Sequence, residues 1–352
     1  MSYRVGVIGC GRMAGTIDDE IDYPHPDFIL PYGHAPGYAA VPETEIVAAA
    51  DIDQTRLDTW CDRFGVTARY TDYRDMLASE DLDLVSTTTH AVARAPAVIA
   101  AAEAGVRGIY AEKALCASVA ELDDILATCQ RRNTHLVYGA MRRYWAGFET
   151  ARKFLDSGAL GSPLSVLIGC AGTPAFHGGS HFIDAALYLL GDPVPVSVRA
   201  ELRGRDGGAL PLREEAKGLV LDEDPGIAFA SVEFDNGLRL TCGDLPYTEI
   251  EVVCEEGTLR SWGDSSGYAA RRKTDRYTWE DVPFPDWESR SGTIAIIGDL
   301  IRSIESGEPG RSNLEVTRRG MEILFGMVAS HAGGGVKVAL PLQDRRVRVG
   351  SR

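Results

Sequence analysis

Tyr3-Arg-Val-Gly-Val-Ile-Gly9-Cys-Gly-Arg-Met-Ala14 is the stretch on which the reading of this chain turns. An apolar run short enough to be one buried parallel strand leads directly into a G-x-G-x-x-A turn. Gly9 permits the tight turn, Gly11 lets the backbone approach a pyrophosphate, and Ala14 allows close helix–strand packing. The residues that follow are read as opening a helix, whose free N–H groups and positive dipole end would receive the phosphates. By itself the pattern is an ordinary strand, turn and helix. At the N-terminus and directly after a strand, it reads as a dinucleotide site.

Outward from that turn, strand and helix signals alternate to about residue 140. Strands are expected at 45–51, 82–87, 108–112 and 135–139. Helices are expected at 55–64, stopped by Gly65, at 95–104, and at 118–131 with Ser118 as N-cap. This alternation predicts a parallel, doubly wound α/β sheet over residues 1–140.

Asp51 closes the second strand, where a carboxylate accepts hydrogen bonds from ribose hydroxyls and repels a 2′-phosphate, favouring NAD over NADP. Asp53 is the competing ribose ligand. Asp51 lies 42 residues after Gly9, whereas the usual offset is about 20. The excess falls in residues 16–33, an acidic, Pro- and aromatic-containing stretch read as an inserted loop. It is either a ligand contact, through Tyr23, His25 and Tyr32, or a solvated excursion.

The composition is that of a globular enzyme: 352 residues, 45% hydrophobic and 25% charged, long enough for two domains. A net charge of −15 argues against nucleic acid or an anionic membrane as partner. No signal-peptide pattern or transmembrane run is read, and the seven scattered cysteines are expected to be reduced thiols in a cytoplasm. No metal site is expected, although His177 and His181 stand four apart.

Beyond residue 140 the pattern changes. Helices are expected at 145–157 and 179–190, and again at 292–306 and 314–330. Between them lie strand candidates at 164–170, 194–202, 227–234, 238–243, 250–254 and 258–262, with Asp235-Asn-Gly237 as a hairpin turn. Residues 141–352 therefore read as an α+β substrate and oligomerisation domain with an open, mostly antiparallel sheet. Its C-terminal segment is expected to pack back on the first domain.

The chain resembles the glucose–fructose oxidoreductase/inositol dehydrogenase/MocA-like (Gfo/Idh/MocA) oxidoreductases across nearly its whole length. The resemblance is carried by Gly6-Val-Ile-Gly-Cys-Gly11, Tyr110-Ala-Glu-Lys113, Arg143-Tyr144 with Gly158-Ala-Leu-Gly161, Gly178-Gly-Ser-His-Phe-Ile-Asp184, Glu255-Glu-Gly-Thr-Leu259 and Gly335-Val-Lys-Val-Ala-Leu-Pro341. It implies hydride transfer between a nicotinamide and a ring-hydroxyl carbon of a sugar, cyclitol or glycoside, in a homodimer or homotetramer. Lys113 and His181 would be the acid–base pair, with His177 and Asp184 in support. Asp184 shares a helix face with His181 and would orient it. NAD would contact Gly9, Cys10, Gly11, Arg12, Met13, Asp51, Ile52, Thr88, Thr89, His90, Glu112 and Lys113, with Cys10 filling the turn and Glu112 orienting Lys113. Arg142, Arg143, Tyr144 and Trp145, with His177 and Asp184, would hold substrate, or the first four form an interdomain seam.

Two positions depart from the family pattern. Ala114 replaces the usual proline after the lysine, so a trans Lys113–Ala114 bond is expected. His177 replaces a common aspartate. These departures keep two other classes open: an NAD-recycling lyase or hydrolase working through transient oxidation, and a noncatalytic NAD-binding regulatory protein.

Overall fold

β1 (Tyr3–Ile8) lies at the centre of the first sheet because Val5, Val7 and Ile8 are all buried, which an interior parallel strand requires. The computed structural model describes residues 2–22, 24–170, 172–204, 206–215, 218–243, 245–246 and 248–350. Tyr23 falls outside the described residues.

Five further strands join β1: β2 (Thr44–Ala50), β3 (Ala68–Tyr70), β4 (Leu84–Thr87), β5 (Gly108–Ala111) and β6 (His135–Tyr138). Their spatial order is β3-β2-β1-β4-β5-β6, all parallel. This is the doubly wound dinucleotide-binding order, with the chain reversing direction between β1 and β4. Helices α1 (His34–Ala39), α2 (Gln54–Phe64), α3 (Tyr73–Ser79), α4 (Ala91–Glu103) and α5 (Val119–Arg132) make the crossovers. Ser118 caps α5 by accepting from the Glu121 N–H, and Gly65 ends α2 in the left-handed region at φ 71°. The short β3 and α3 carry too few apolar residues to be legible in sequence.

One expectation at the first turn is corrected. No long helix follows the glycines: two 3₁₀ turns, Arg12–Ala14 and Thr16–Glu20, come instead, and α1 starts only at His34. The insertion causes this. The Asp18 carboxylate accepts the N–H groups of Tyr32 and Gly33 at 3.1 and 2.6 Å, closing residues 18–33 into a loop. The helix is thereby displaced past the loop, and its N-cap Gly33 packs against Gly15 at the end of the glycine turn.

The second half holds α6 (Ala146–Asp156), β7 (Pro163–Gly169), α7 (Ser180–Leu190), β8 (Pro195–Arg203), β9 (Leu212–Glu215), β10 (Gly218–Leu221), β11 (Gly226–Phe234) and β12 (Arg239–Gly243). It continues with β13 (Ile250–Cys254), β14 (Gly257–Trp262), β15 (Gly267–Lys273), β16 (Trp279–Val282), α8 (Gly292–Ser306), α9 (Leu314–Ala332), β17 (Val338–Ala339) and β18 (Arg348–Val349). Nine strands form one sheet in the order β16-β15-β14-β13-β7-β12-β11-β8-β17, antiparallel except where β7 runs beside β12. The Asp235-Asn-Gly237 turn joins β11 to β12 with Gly237 at φ 84°. A small sheet, β18-β10-β9, sits apart.

The two halves interlock. α8 covers β5 and β6 of the first sheet, with Leu300 and Ile304 against Gly108. The C-terminal segment returns to α5, where the Val119 N–H donates to Val347 O and Arg345 pairs with Asp123. All seven cysteines are buried and free.

Candidate active site

Parallel topology puts the carboxyl ends of the first-sheet strands along one edge, and the turns leaving that edge line a cleft of about 1270 Å³. Gly9 and Gly11 follow β1, Asp51 follows β2, Thr88 to His90 follow β4, and Glu112 and Lys113 follow β5. The opposite wall comes from the second half: Phe176 and His177 in the π-turn before α7, His181 in its first turn, and Asp224 before β11.

At the nucleotide end, the two glycines are required for different reasons. Gly9 sits at φ 94°, and a Cβ there would also press on Thr88 and Thr89 at 3.1 Å. A Cβ on Gly11 would meet nothing within 4 Å, so its bare backbone faces the open cleft. Asp51, 8% exposed, accepts the Cys10 N–H at 2.8 Å and the Asp53 N–H at 2.9 Å. A carboxylate has further lone pairs, so it retains capacity for ribose hydroxyls. Asp53 is instead the N-cap of α2, accepting the Arg56 N–H. Cys10 does not line the cleft: its thiol is packed in a small core with Val7, Ala14 and Trp60, and its N–H donates to Asp51. Arg12, Met13, Ile52, Thr88, Thr89 and His90 all line the cleft. Arg12 also pairs with Glu20 of the insertion.

At the other end, Lys113 Nζ lies 3.1 Å from His177 Nδ1 and 3.3 Å from the His177 carbonyl oxygen. Burial pushes the ammonium below the usual lysine range, helped by the Arg94 and Arg142 charges and opposed by Glu112 and Asp224. The buried Asp224 carboxylate accepts the N–H groups of Phe176 and His177, both at 2.8 Å, and so sets the turn that carries His177. His181 lines the cleft, and its buried Nδ1 has no hydrogen-bond partner among the described residues. Burial first, then the Arg142, Lys113 and His177 charges, hold its pKa well below the usual histidine range. The ring is therefore neutral at physiological pH.

Several expected placements are corrected. The Lys113–Ala114 peptide is cis; the buried Arg94 guanidinium donates to the carbonyls of Ala114 and Thr89 and holds the chain on both sides. Asp184 does not orient His181. It accepts two hydrogen bonds from Arg143 Nε and another from Nη2, and Asp192 completes the pair. Arg143 is fully buried, and these carboxylates keep it charged.

Tyr144 donates to Asp299, and Trp145 packs against Phe28 and His25. Arg142 pairs with Asp264 beneath Phe182 and Trp145. Ion pairing engages Arg142 and Arg143, a hydrogen bond engages Tyr144, and aromatic packing engages Trp145, where the two halves meet.

Described residues of the insertion bridge to the second half. His25 lies 3.0 Å from the Gly263 carbonyl oxygen, Ser265 donates to the buried Asp27, and Thr293 donates to Tyr32 O. Phe28 and Tyr32 stack at 5.4 Å and line the cleft. Sequence reading missed Phe28, Arg94 and Asp224, which no motif marks, and His34, which sits in an Ala-rich run.

Comparison with known proteins agrees with this architecture. Residues 3–140 match the family described as the oxidoreductase family with NAD-binding Rossmann fold (GFO_IDH_MocA). A D-apiose dehydrogenase from Paraburkholderia graminis is 27% identical over 311 residues, 80% of each chain. An inositol 2-dehydrogenase from Salmonella paratyphi B is 32% identical over 124 residues, 35% of this chain and 37% of the relative. The aldose–aldose oxidoreductase of Caulobacter crescentus, solved with glycerol, superposes with a TM-score of 0.73 at 19% identity, covering 97% of this chain and 100% of the other. Among the described residues, no three His, Cys, Asp or Glu side chains gather as a metal site, and no helix is long and apolar enough to cross a membrane.

Proposed function

We propose that this chain, whose residues 3–140 match the Gfo/Idh/MocA oxidoreductase family, is an NAD-dependent dehydrogenase acting on a ring-hydroxyl carbon of a sugar or cyclitol. The observation that carries the reading is one cleft with the bare Gly11 backbone and Asp51 at one end and the Lys113–His177 contact at the other. The residues fit the nucleotide: Gly11 leaves room for a diphosphate, Asp51 retains acceptor capacity for ribose, and Thr88 and Thr89 line the cleft between them and Lys113. NAD, when bound, supplies the hydride acceptor.

The protein's own task is then proton transfer and orientation. Lys113, depressed by burial, takes the hydroxyl proton as its C–H bond breaks. His177, exposed and 3.1 Å away, exchanges that proton with solvent. Neutral His181 offers a second polar contact to the reacting oxygen. The relatives named for apiose and inositol oxidation support a polyol substrate. The test is a panel of aldoses, glycosides and inositols with NAD or NADP, read by reduced-nicotinamide absorbance. Turnover of one polyol class supports the reading; bound NAD with no turnover and no product from any of them defeats it.

A further inference from the structure

We propose that His34 is a positioning residue for Lys113, acting through Glu112. This rests on the reading of Lys113 as the proton acceptor. His34 opens α1, is completely buried, and stacks on Tyr110 of β5 with ring centroids 3.8 Å apart at 15°. Both of its ring nitrogens are engaged: Nδ1 meets Ser86 Oγ on β4, and Nε2 lies 3.2 Å from Glu112 Oε1. The other Glu112 oxygen accepts the Lys113 backbone N–H at 3.2 Å. One carboxylate, 3% exposed, therefore joins the imidazole to the residue that carries the reacting amine.

A histidine whose two nitrogens and ring face are all engaged has one orientation, so the carboxylate it holds is fixed as well. Burial pushes the Glu112 carboxyl up. The His34 hydrogen bond and the His34, Lys113 and Arg94 charges outweigh that and keep it ionised. The groups facing the Lys113 amine are Glu112 and Asp224, which favour its protonated form, Arg94 and Arg142, which oppose it, and the imidazoles of His177, 3.1 Å away, and His181. The phenols of Tyr38, Tyr110 and Tyr138 around this network are pushed far up by burial and stay neutral.

The sign of the effect follows. Without His34, the buried Glu112 loses the donor that keeps it ionised, its negative charge weakens, and the Lys113 ammonium loses support. The Lys113 titration then moves to lower pH. The chain contains only five lysines, at 113, 153, 217, 273 and 337. A carbon-13 NMR titration of the lysine ε-methylenes can therefore follow Lys113 directly, its signal assigned by loss in K113M.

H34F keeps an aromatic ring against Tyr110 but removes the hydrogen bond. It should lower the Lys113 midpoint by about one pH unit, the scale of one nearby charge interaction. E112Q should move it in the same direction, and H34F added to E112Q should move it no further. H34Q, whose amide can donate to Glu112, should return it towards wild type. Where H34F does not fold, H34L replaces it.

A folded H34F or H34L whose Lys113 titrates as in wild type overturns the proposal. So does an undiminished His34 effect in the E112Q background. Neither readout needs turnover, so a failure of the dehydrogenase reading, seen as absent activity, is distinguishable from a failure of this coupling.

Discussion

Lys113 Nζ and His177 Nδ1 lie 3.1 Å apart, joining the edge of the parallel sheet to the turn that precedes α7. The amine is half-buried and the imidazole is exposed. The pair thus has one member in the cleft and one in contact with bulk water, an arrangement suited to passing a proton outward.

Lys113→Met should reduce kcat by roughly 10²–10⁴-fold, the usual contribution of a positioned acid or base. NAD affinity should stay within a few-fold, because the nucleotide end of the cleft is untouched. Titrating NAD into both proteins alongside steady-state rates checks this.

The pH profile should carry the mark of Lys113 and not of His181. Alcohol oxidation needs the neutral amine, so kcat should rise as pH rises through a Lys113 pKa held below the ordinary lysine value of 10.5. His181 is already neutral across this range. His181→Gln should therefore lower the rate while leaving the rising limb in place; a limb displaced by H181Q would assign it to the imidazole instead.

Breaking the Arg143–Asp184 pair should be felt in stability and not in chemistry. Asp184→Ala leaves the buried Arg143 partly uncompensated, at a cost of about 3–5 kcal/mol. Denaturant unfolding reads that cost, and kcat of the folded D184A enzyme should stay within a few-fold of wild type. A D184A protein as stable as wild type but inactive would return Asp184 to the chemistry.

Asp51 separates the two nicotinamide cofactors. Asp51→Asn keeps an acceptor for the Cys10 N–H and removes the charge that repels a 2′-phosphate. With Arg56 beside it, 3.4 Å away, D51N should shift the NADP:NAD ratio of kcat/KM towards NADP by about tenfold, one charge interaction's worth. An unchanged ratio would place the discrimination elsewhere.

The parallel sheet, the antiparallel sheet and most helix boundaries were legible because buried apolar runs, glycine stops and N-caps are local signals. α8 matches its expected span, residues 292–306. The displaced first helix was not legible. Its cause is Asp18 folding back on Tyr32 and Gly33, a contact closed by loop geometry. The cleft ends, Asp51 and Lys113, could be read from strand ends, whereas Arg142 to Trp145 were ambiguous between clamp and seam. Their partners Asp264, Asp192 and Asp299 lie far away in sequence and mark no motif. Asp224, which sets the His177 turn, is likewise a tertiary contact that no spacing announces.

The most direct test compares wild type and Lys113→Met at matched NAD occupancy, on whichever sugar or cyclitol the panel selects, by the initial rate of reduced-nicotinamide formation. The account predicts turnover by wild type and a rate at least about 10²-fold lower in the variant. Equal rates in the two proteins would contradict the assignment of Lys113 as the group that takes the hydroxyl proton.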